Sequence, residues 1–386
     1  MVEVIDSLDL RAMSGSYRGS GSASYHPALL LGILVYGYAT GVMSSRKLER
    51  ATYDSVAFRF IAANEHPDHD TIAAFRRRFA KNIEGLFVQV LMMARTMGMF
   101  EIGTIALACP REGGGTKIHA NASRHSALSY QHAGKIEKQL KQEVADLLAK
   151  AEAADQADIP DGMSIPHELA LRENRLAKIV EARAAKEKAT GRKPGGKPAA
   201  PPVEGPRPTD QFNLTDEESR IMPVAGGGFG QCYNAQAAVA AGSMPVVATD
   251  VSQAPNDKQR LAPTLDKMMD LPAVLGTPET LLADSGYFGE ANVKHCLDAG
   301  VAPLIAAGRQ SHHLSLAERF AAAPEAPANP TPVEAMKHRL ATPEGKKLCG
   351  LRNQTPEPVF GIIKSVLGFR QFRCAELRKR MANGTS

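Results

Sequence analysis

The chain has no tryptophan, and its five cysteines lie far apart in the sequence. They are Cys109, Cys232, Cys296, Cys349 and Cys374. A disulfide framework or a structural zinc site needs closely spaced cysteines, so this spacing argues against both and fits a reducing compartment. We therefore predict a cytoplasmic protein whose fold depends on neither disulfides nor zinc.

The sequence also has no long hydrophobic run, and we expect no secretory leader. The longest apolar run, residues 28–38, is shorter than the roughly 20 residues of a membrane-spanning helix, and residues 1–24 are polar and rich in glycine and serine. The chain contains neither a Gly-rich phosphate loop nor a Gly-x-Ser-x-Gly motif. From these absences we expect no membrane partner. They also argue against nucleotide-binding proteins that use a Gly-rich phosphate loop and against hydrolases that use a Gly-x-Ser-x-Gly motif. The net charge of +5 permits a polyanionic partner without requiring one.

Residues 27–100 have the pattern of a small helical domain. Pro27 suits a first helical turn, and the apolar run after it predicts a helix buried on almost all sides. Asp70 is predicted to cap a later, basic helix. That helix carries Arg76, Arg77 and Arg78. Such a helix either contacts nucleic-acid phosphates or presents an ordinary solvated face, and the residues alone leave both interpretations open.

Residues 131–212 predict a helical hairpin followed by a basic linker. Apolar residues recur at 136, 140, 144 and 147, which is the spacing of a long amphipathic helix. A return helix to about residue 188 and a Pro- and Gly-rich segment over 191–202 complete this region.

The remaining sequence alternates between strand and helix patterns. The expected strands are 102–108, 232–239, 245–250, 279–283 and 302–307, and the expected helices are 257–269 and 290–299. A hairpin followed by alternating strands and helices is typical of a mixed α/β sheet. Because the first strand precedes residue 131, the helical hairpin would interrupt this sheet as an insertion.

Two carboxylates occupy positions that suit metal chemistry. Asp284 follows an apolar strand and is predicted at the carboxyl edge of the sheet, where ligand sites form. Glu357 lies in the first turn of an apolar helix. Each has an ordinary explanation when taken alone, as a turn cap and as a favourable charge at a helix start. Together they supply carboxylate ligands of the kind used in metal-dependent phosphoryl transfer, and Asp250 is a weaker candidate for the same site.

Five short segments, in order along the chain, extend this hypothesis. They are Asp68-His69-Asp70-Thr71-Ile72, Gly115-Thr116-Lys117, Tyr233-Asn234-Ala235-Gln236, Ala283-Asp284-Ser285-Gly286-Tyr287-Phe288 and Glu357-Pro358-Val359-Phe360. Through them the chain resembles, over residues 27–372, the bacterial insertion-sequence transposases of the DDE type, whose catalytic domain has a ribonuclease H-like fold.

The resemblance implies a domain organisation and an activity. Residues 1–100 would form a helical DNA-binding domain. A ribonuclease H-like domain would begin at 101–130, be interrupted by the insertion at 131–212, and resume at 213–386 with a truncated C-terminal end. Such enzymes act on terminal inverted repeats and target DNA, cutting and joining strands with two Mg²⁺ (or Mn²⁺) ions. A homodimer on DNA is the expected assembly.

The resemblance also assigns roles to individual residues. The second acid of the family corresponds to Asp284 and its final glutamate to Glu357, both as catalytic metal ligands. Lys117 and Lys364 suit contacts with the DNA backbone, because compact cations beside a metal site favour phosphate.

The chain departs from the family at the first catalytic acid. An aspartate should directly precede Gly115-Thr116-Lys117, but that position is Gly114. Glu112 is the only nearby carboxylate, and it is two residues out of register. We therefore expect an impaired DNA transposase, and the alternative is a DNA-binding remnant without catalysis. A general metal-dependent nuclease on the same fold is a third interpretation, which preference for inverted repeats over random DNA would distinguish.

Overall fold

The computed structural model describes residues 1–17, 24–107, 117–154, 165–188, 210–224, 227–308 and 327–372. The chain forms two compact units. The first contains residues 1–110, 236–250 and 257–370, and the second contains residues 111–235, 251–256 and 371–386. The four-part domain division expected from the sequence stays a prediction.

The described helices are numbered in chain order. They are α1 Val2–Asp6, α2 Arg11–Ser14, α3 Pro27–Ala39, α4 Ser45–Asp54, α5 Val56–Ile61, α6 His69–Arg78, α7 Ala80–Thr96, α8 Tyr130–Ala154, α9 Ile165–Lys188, α10 Leu261–Met269, α11 Glu290–Asp298, α12 Pro332–Ala341, α13 Pro343–Gln354 and α14 Pro356–Gly361. A π-helical turn, Ile362–Val366, follows α14.

The described strands are numbered in the same way. They are β1 Thr104–Leu107, β2 Lys117–His119, β3 Ala127–Ser129, β4 Gln211–Asn213, β5 Arg220–Pro223, β6 Phe229–Ala240, β7 Val246–Ser252, β8 Thr280–Ala283 and β9 Ala302–Ile305.

The N-terminal helices α1 to α7 enclose a hydrophobic core. Helix α3 begins at Pro27, as predicted, and buries apolar residues on several sides. Helix α6 adds Ile72 and Phe75 to the same core. Its cap differs from the prediction, because the side chain of Asp68 accepts the N–H of Thr71 at 2.6 Å, whereas Asp70 lies within the first turn. The extended backbone of Asp68 is the conformation that an N-cap requires.

The first unit contains a mixed sheet with strand order β7-β6-β1-β8-β9. Strand β1 pairs antiparallel with the end of β6, as Ile105 opposite Ala240, and parallel with β8, as Ile105 opposite Leu281. Strand β9 is parallel to β8. Ile105, Leu281 and Leu304 are fully buried, as expected of strands covered on both faces. The mixed α/β fold class is thereby confirmed.

The second unit includes the first half of β6 and a pair of long helices. Strands β2 and β5 pair antiparallel with residues 229–234 of β6. Helices α8 and α9 pack against each other around Leu140, Ile179 and Ala182. The predicted linker at 191–202 lies outside the described residues. No helix in the described part of the chain is both long enough and apolar enough to cross a membrane.

Candidate functional site

Asp284 directly follows β8, at the carboxyl end of the strand. Its Oδ1 accepts the N–H of Gly286 at 2.8 Å, and its carbonyl accepts the N–H of Tyr287 at 3.2 Å. These bonds begin the short 3₁₀ turn Ser285–Tyr287 and leave the Asp284 carboxylate partly exposed. Because β8 lies between two parallel neighbours, this is the edge of the sheet where ligands commonly bind.

Glu357 is the second residue of α14, and its side chain is exposed. The preceding helix, α13, packs on β1 and β8 through Leu348, Cys349 and Leu351. Among the described residues, no group of three or more His, Cys, Asp or Glu side chains is arranged to hold a metal ion. Asp284 and Glu357 carry carboxylate oxygens, which are of the kind that divalent metal ions bind.

Gly114 and Glu112, on which the expectation of impaired catalysis rests, lie outside the described residues. Their part in the site remains a prediction from the sequence.

Asp250, the weaker candidate, has a structural explanation. Its carboxylate is buried in β7, where Oδ2 accepts from Nε of Arg260 at 2.7 Å and Oδ1 from Nζ of Lys267 at 3.0 Å. Two cations on one buried carboxylate satisfy its charge without a metal.

The three arginines of α6 differ in their surroundings. Arg76 donates to the hydroxyl of Tyr38 at 3.1 Å. Arg77 is exposed at the end of the helix. Arg78 donates to the carbonyl of Ser16 at 2.6 Å.

The two lysines proposed for DNA contact also differ. Lys117 lies in β2 and is only 9% exposed, because this short strand pairs with β6. Lys364 is half-buried in the π-helical turn after α14, and its carbonyl accepts from Nε of Arg370 at 2.9 Å. Single π-helical turns are frequent near functional sites. The structure thus gives Lys364 the more accessible position of the two.

A buried polar chain behind the Asp284 turn was not foreseen from the sequence. Gln236 on β6 connects the side chains of Tyr287 and Asp257, and all three residues are buried. The available signal was the presence of polar residues, Asn234 and Gln236 among them, in a strand that is buried along most of its length. A buried amide of this kind needs partners, although the sequence does not identify them.

A similar pair occurs separately in the second unit. The hydroxyl of Tyr233 donates to Oδ1 of Asp216 at 2.7 Å. Burial, followed by this hydrogen bond, raises the pKa of Tyr233 well above its ordinary value, so the phenol stays protonated and remains a donor.

Two family models match the chain. A model described as Transposase domain (DUF772) matches residues 1–78, and a model described as Transposase DDE domain matches residues 215–383. The first match contains the three arginines of α6, and the second contains Asp284 and Glu357. Comparisons with curated proteins and with solved structures gave no match.

Proposed function

This chain belongs to the DDE transposases of insertion sequences, and we propose that Asp284 and Glu357 act together as metal ligands in its DNA strand-transfer site. The family acts on DNA, and DDE domains generally use divalent metal ions. We further propose that residues 1–100 bind the terminal inverted repeats, that the protein works on DNA as a homodimer, and that Mg²⁺ or Mn²⁺ is the metal.

The position of Asp284 is the observation that carries the proposal. Its carboxylate follows a central parallel strand, and the turn bonds to Gly286 and Tyr287 fix its direction. The carboxylate is partly exposed, as a metal ligand must be if substrate is to reach the same ion.

The packing of α13 supports a role for Glu357 at the same edge. Arg339, just before α13, donates to the hydroxyl of Thr280 at the start of β8 (3.4 Å). Helix α13 has 12 residues and β8 has four. At about 1.5 Å per helical residue and 3.3 Å per strand residue, the helix is long enough to run the full length of the strand. We expect this arrangement to deliver Glu357 close to Asp284.

The chemistry divides between the metal and the chain. When bound, a divalent metal activates the attacking oxygen and stabilises charge on the phosphate. Asp284 and Glu357 would hold the cation with anionic oxygens, and Lys364 would neutralise a neighbouring phosphate of the DNA.

We propose that catalysis is impaired, because Gly114 stands where the family has its first acid. Glu112 would have to reach the metal from two residues out of register, and ligand placement tolerates errors of only about 0.5 Å. The alternative is a DNA-binding remnant without catalysis.

Metal binding tests the site assignment without depending on activity. We expect Asp284→Asn and Glu357→Gln each to weaken Mn²⁺ binding to the full chain, whereas Asp270→Asn, at an exposed carboxylate after α10, should not. In a crystal structure with Mn²⁺, the Asp284 and Glu357 carboxylates should lie within roughly 4–8 Å of each other. Carboxylates on opposite faces of the sheet would refute the assignment.

DNA binding tests the rest of the proposal. The full chain should bind terminal inverted repeats more tightly than random DNA of equal length. Equal affinity for both would favour the general nuclease instead.

A further inference from the structure

Three buried side chains form a continuous polar chain next to the Asp284 turn. The hydroxyl of Tyr287 donates to Oε1 of Gln236, and Nε2 of Gln236 donates to Oδ1 of Asp257 at 2.6 Å. Tyr287 is 1% exposed, Gln236 2% and Asp257 8%. Water therefore cannot readily replace these hydrogen bonds, and losing one would leave a polar atom buried without that partner.

The chemistry of the three groups fixes the direction of this chain. An ionised carboxylate only accepts hydrogen bonds, so Asp257 must face the amide NH₂ of Gln236. The amide oxygen then faces Tyr287, whose hydroxyl can donate. Glutamine is thus suited to the central position because it accepts and donates at once, whereas glutamate would place two carboxylates together.

Tyr287 in turn is part of the turn that orients Asp284. Its N–H donates to the carbonyl of Asp284 at 3.2 Å. Its own carbonyl accepts from Nδ2 of Asn292 at 2.7 Å, and the same amide group donates to the carbonyl of Lys258 at 2.7 Å. The turn is therefore held at the Tyr287 hydroxyl by β6 and at the Tyr287 carbonyl by α11.

We propose that Gln236 is a positioning residue for Asp284, acting through Tyr287. Tyr287 cannot shift without breaking its bond to Gln236, and the Asp284 carboxylate is bonded within the same turn. This inference rests on the proposed role of Asp284 as a metal ligand. Residues that orient metal ligands from behind typically affect metal affinity by about 10–100-fold.

A purely structural role for these hydrogen bonds is the competing explanation, and the chain offers a matched control. Tyr233 is also 1% exposed and also donates its hydroxyl to a buried side chain, that of Asp216. Both Tyr233→Phe and Tyr287→Phe remove one buried hydroxyl and should lower stability. Only Tyr287→Phe should disturb the Asp284 turn.

Hydrogen exchange of the full chain, followed by mass spectrometry, tests whether Gln236 holds the turn. The amides of Gly286, Tyr287 and Phe288 are hydrogen-bonded within it. Tyr287→Phe should accelerate their exchange by about three- to tenfold, the effect of one lost net hydrogen bond. Tyr233→Phe should leave them unchanged. Unchanged exchange in Tyr287→Phe would overturn the proposal.

A paired substitution tests the central amide. Gln236→Glu alone should loosen the turn, because two carboxylates would face each other. Adding Asp257→Asn should restore the slow amide exchange of the turn. The asparagine amide can donate to the glutamate introduced at position 236, and that glutamate can still accept from the hydroxyl of Tyr287. Failure of this rescue would contradict the proposed hydrogen-bond chain.

Mn²⁺ affinity of the same variants is the third measurement. We expect about 10–100-fold weaker binding in Tyr287→Phe and Gln236→Glu, recovery in the double variant, and no change in Tyr233→Phe. Suppose that Asp284→Asn weakens Mn²⁺ binding, while Tyr287→Phe loosens the turn and leaves Mn²⁺ affinity unchanged. That result would overturn the positioning role of Gln236. If Asp284→Asn has no effect on Mn²⁺ binding, the proposed function fails instead, and the exchange data still decide whether Gln236 holds the turn.

Discussion

The guanidinium of Arg78 lies over the ring of Tyr17, with its central carbon 5.2 Å from the ring centre. The same group donates to the carbonyl of Ser16, and Arg76 donates to the hydroxyl of Tyr38. Arg76 and Arg78, both predicted to contact phosphate, therefore also tie α6 to other parts of the N-terminal region. Substituting either one should affect stability as well as DNA binding.

Arg78→Ala should reduce stability relative to the natural chain. The change removes a hydrogen bond to Ser16 and a cation–π contact with Tyr17, which together contribute about 1–2 kcal/mol. Urea unfolding of the variant and the natural chain, followed by circular dichroism, measures the difference. Equal unfolding midpoints would show that the Arg78 contacts contribute nothing measurable.

Arg77→Ala should mainly alter the salt dependence of DNA binding. If Arg77 neutralises one phosphate, its loss should flatten the plot of log affinity against log salt concentration by about 0.9. Replacing Arg76, Arg77 and Arg78 together should flatten it further. Titrations with inverted-repeat DNA at several salt concentrations measure these slopes. Unchanged slopes in variants that remain folded would identify α6 as an ordinary solvated face.

The sequence predicted local structure well where local signals were strong. Pro27 and the apolar run after it predicted the start of α3, and both strands of the β6–β7 hairpin were anticipated. The helix expected from residue 257 begins instead at Leu261. Asp257 is hydrogen-bonded to Gln236, which lies 21 residues earlier in the chain. The local pattern that predicts a helix carries no information about a contact so distant in the sequence.

The candidate site was predictable only in part for the same reason. The strand before Asp284 and the helix start at Glu357 are local features, and both were found. Lys117 was predicted to contact the DNA backbone, and pairing of β2 with β6 leaves it 9% exposed. How close Asp284 and Glu357 lie depends on the packing of α13 against the sheet, which side chains distant in sequence determine.

The buried thiol of Cys296 should make stability depend on pH in the alkaline range. Burial raises its pKa from about 9 to about 12. Between these values the thiol ionises in the unfolded chain but not in the folded one, so the unfolded state binds fewer protons and stability falls as pH rises. The stability that depends on the protonated thiol of Cys296 is fully present below pH 9 and is lost progressively toward pH 12.

Cys296→Ala isolates this effect, because alanine has no thiol to ionise. The stability difference between the natural chain and the variant should shrink above pH 9 by up to about 1.4 kcal/mol per pH unit. Urea unfolding of both proteins at pH 8, 9 and 10 provides the measurement. A difference that stays constant over this range would contradict the burial of the thiol.

The sharpest prediction concerns catalysis. With Gly114 in place of the first acid, the chain should cut and join transposon ends barely or not at all with Mg²⁺. Losing a carboxylate ligand from such a site raises the barrier by about 4 kcal/mol, which corresponds to about a thousandfold in rate. Deleting residues 108–114 and inserting one aspartate before Gly115 restores the spacing of the family and should increase strand cleavage. The measurement is cleavage of labelled inverted-repeat DNA by the natural and repaired chains.

Two controls make the outcome of this repair decisive. The repaired chain should lose its activity again with Asp284→Asn, because both acids must hold the metal together. Inserting asparagine instead of aspartate keeps the length of the repaired loop but supplies no charge, so it should give no gain. The prediction fails if the natural chain cleaves robustly and Glu112→Gln abolishes that activity, since Glu112 would then have taken over as the first acid.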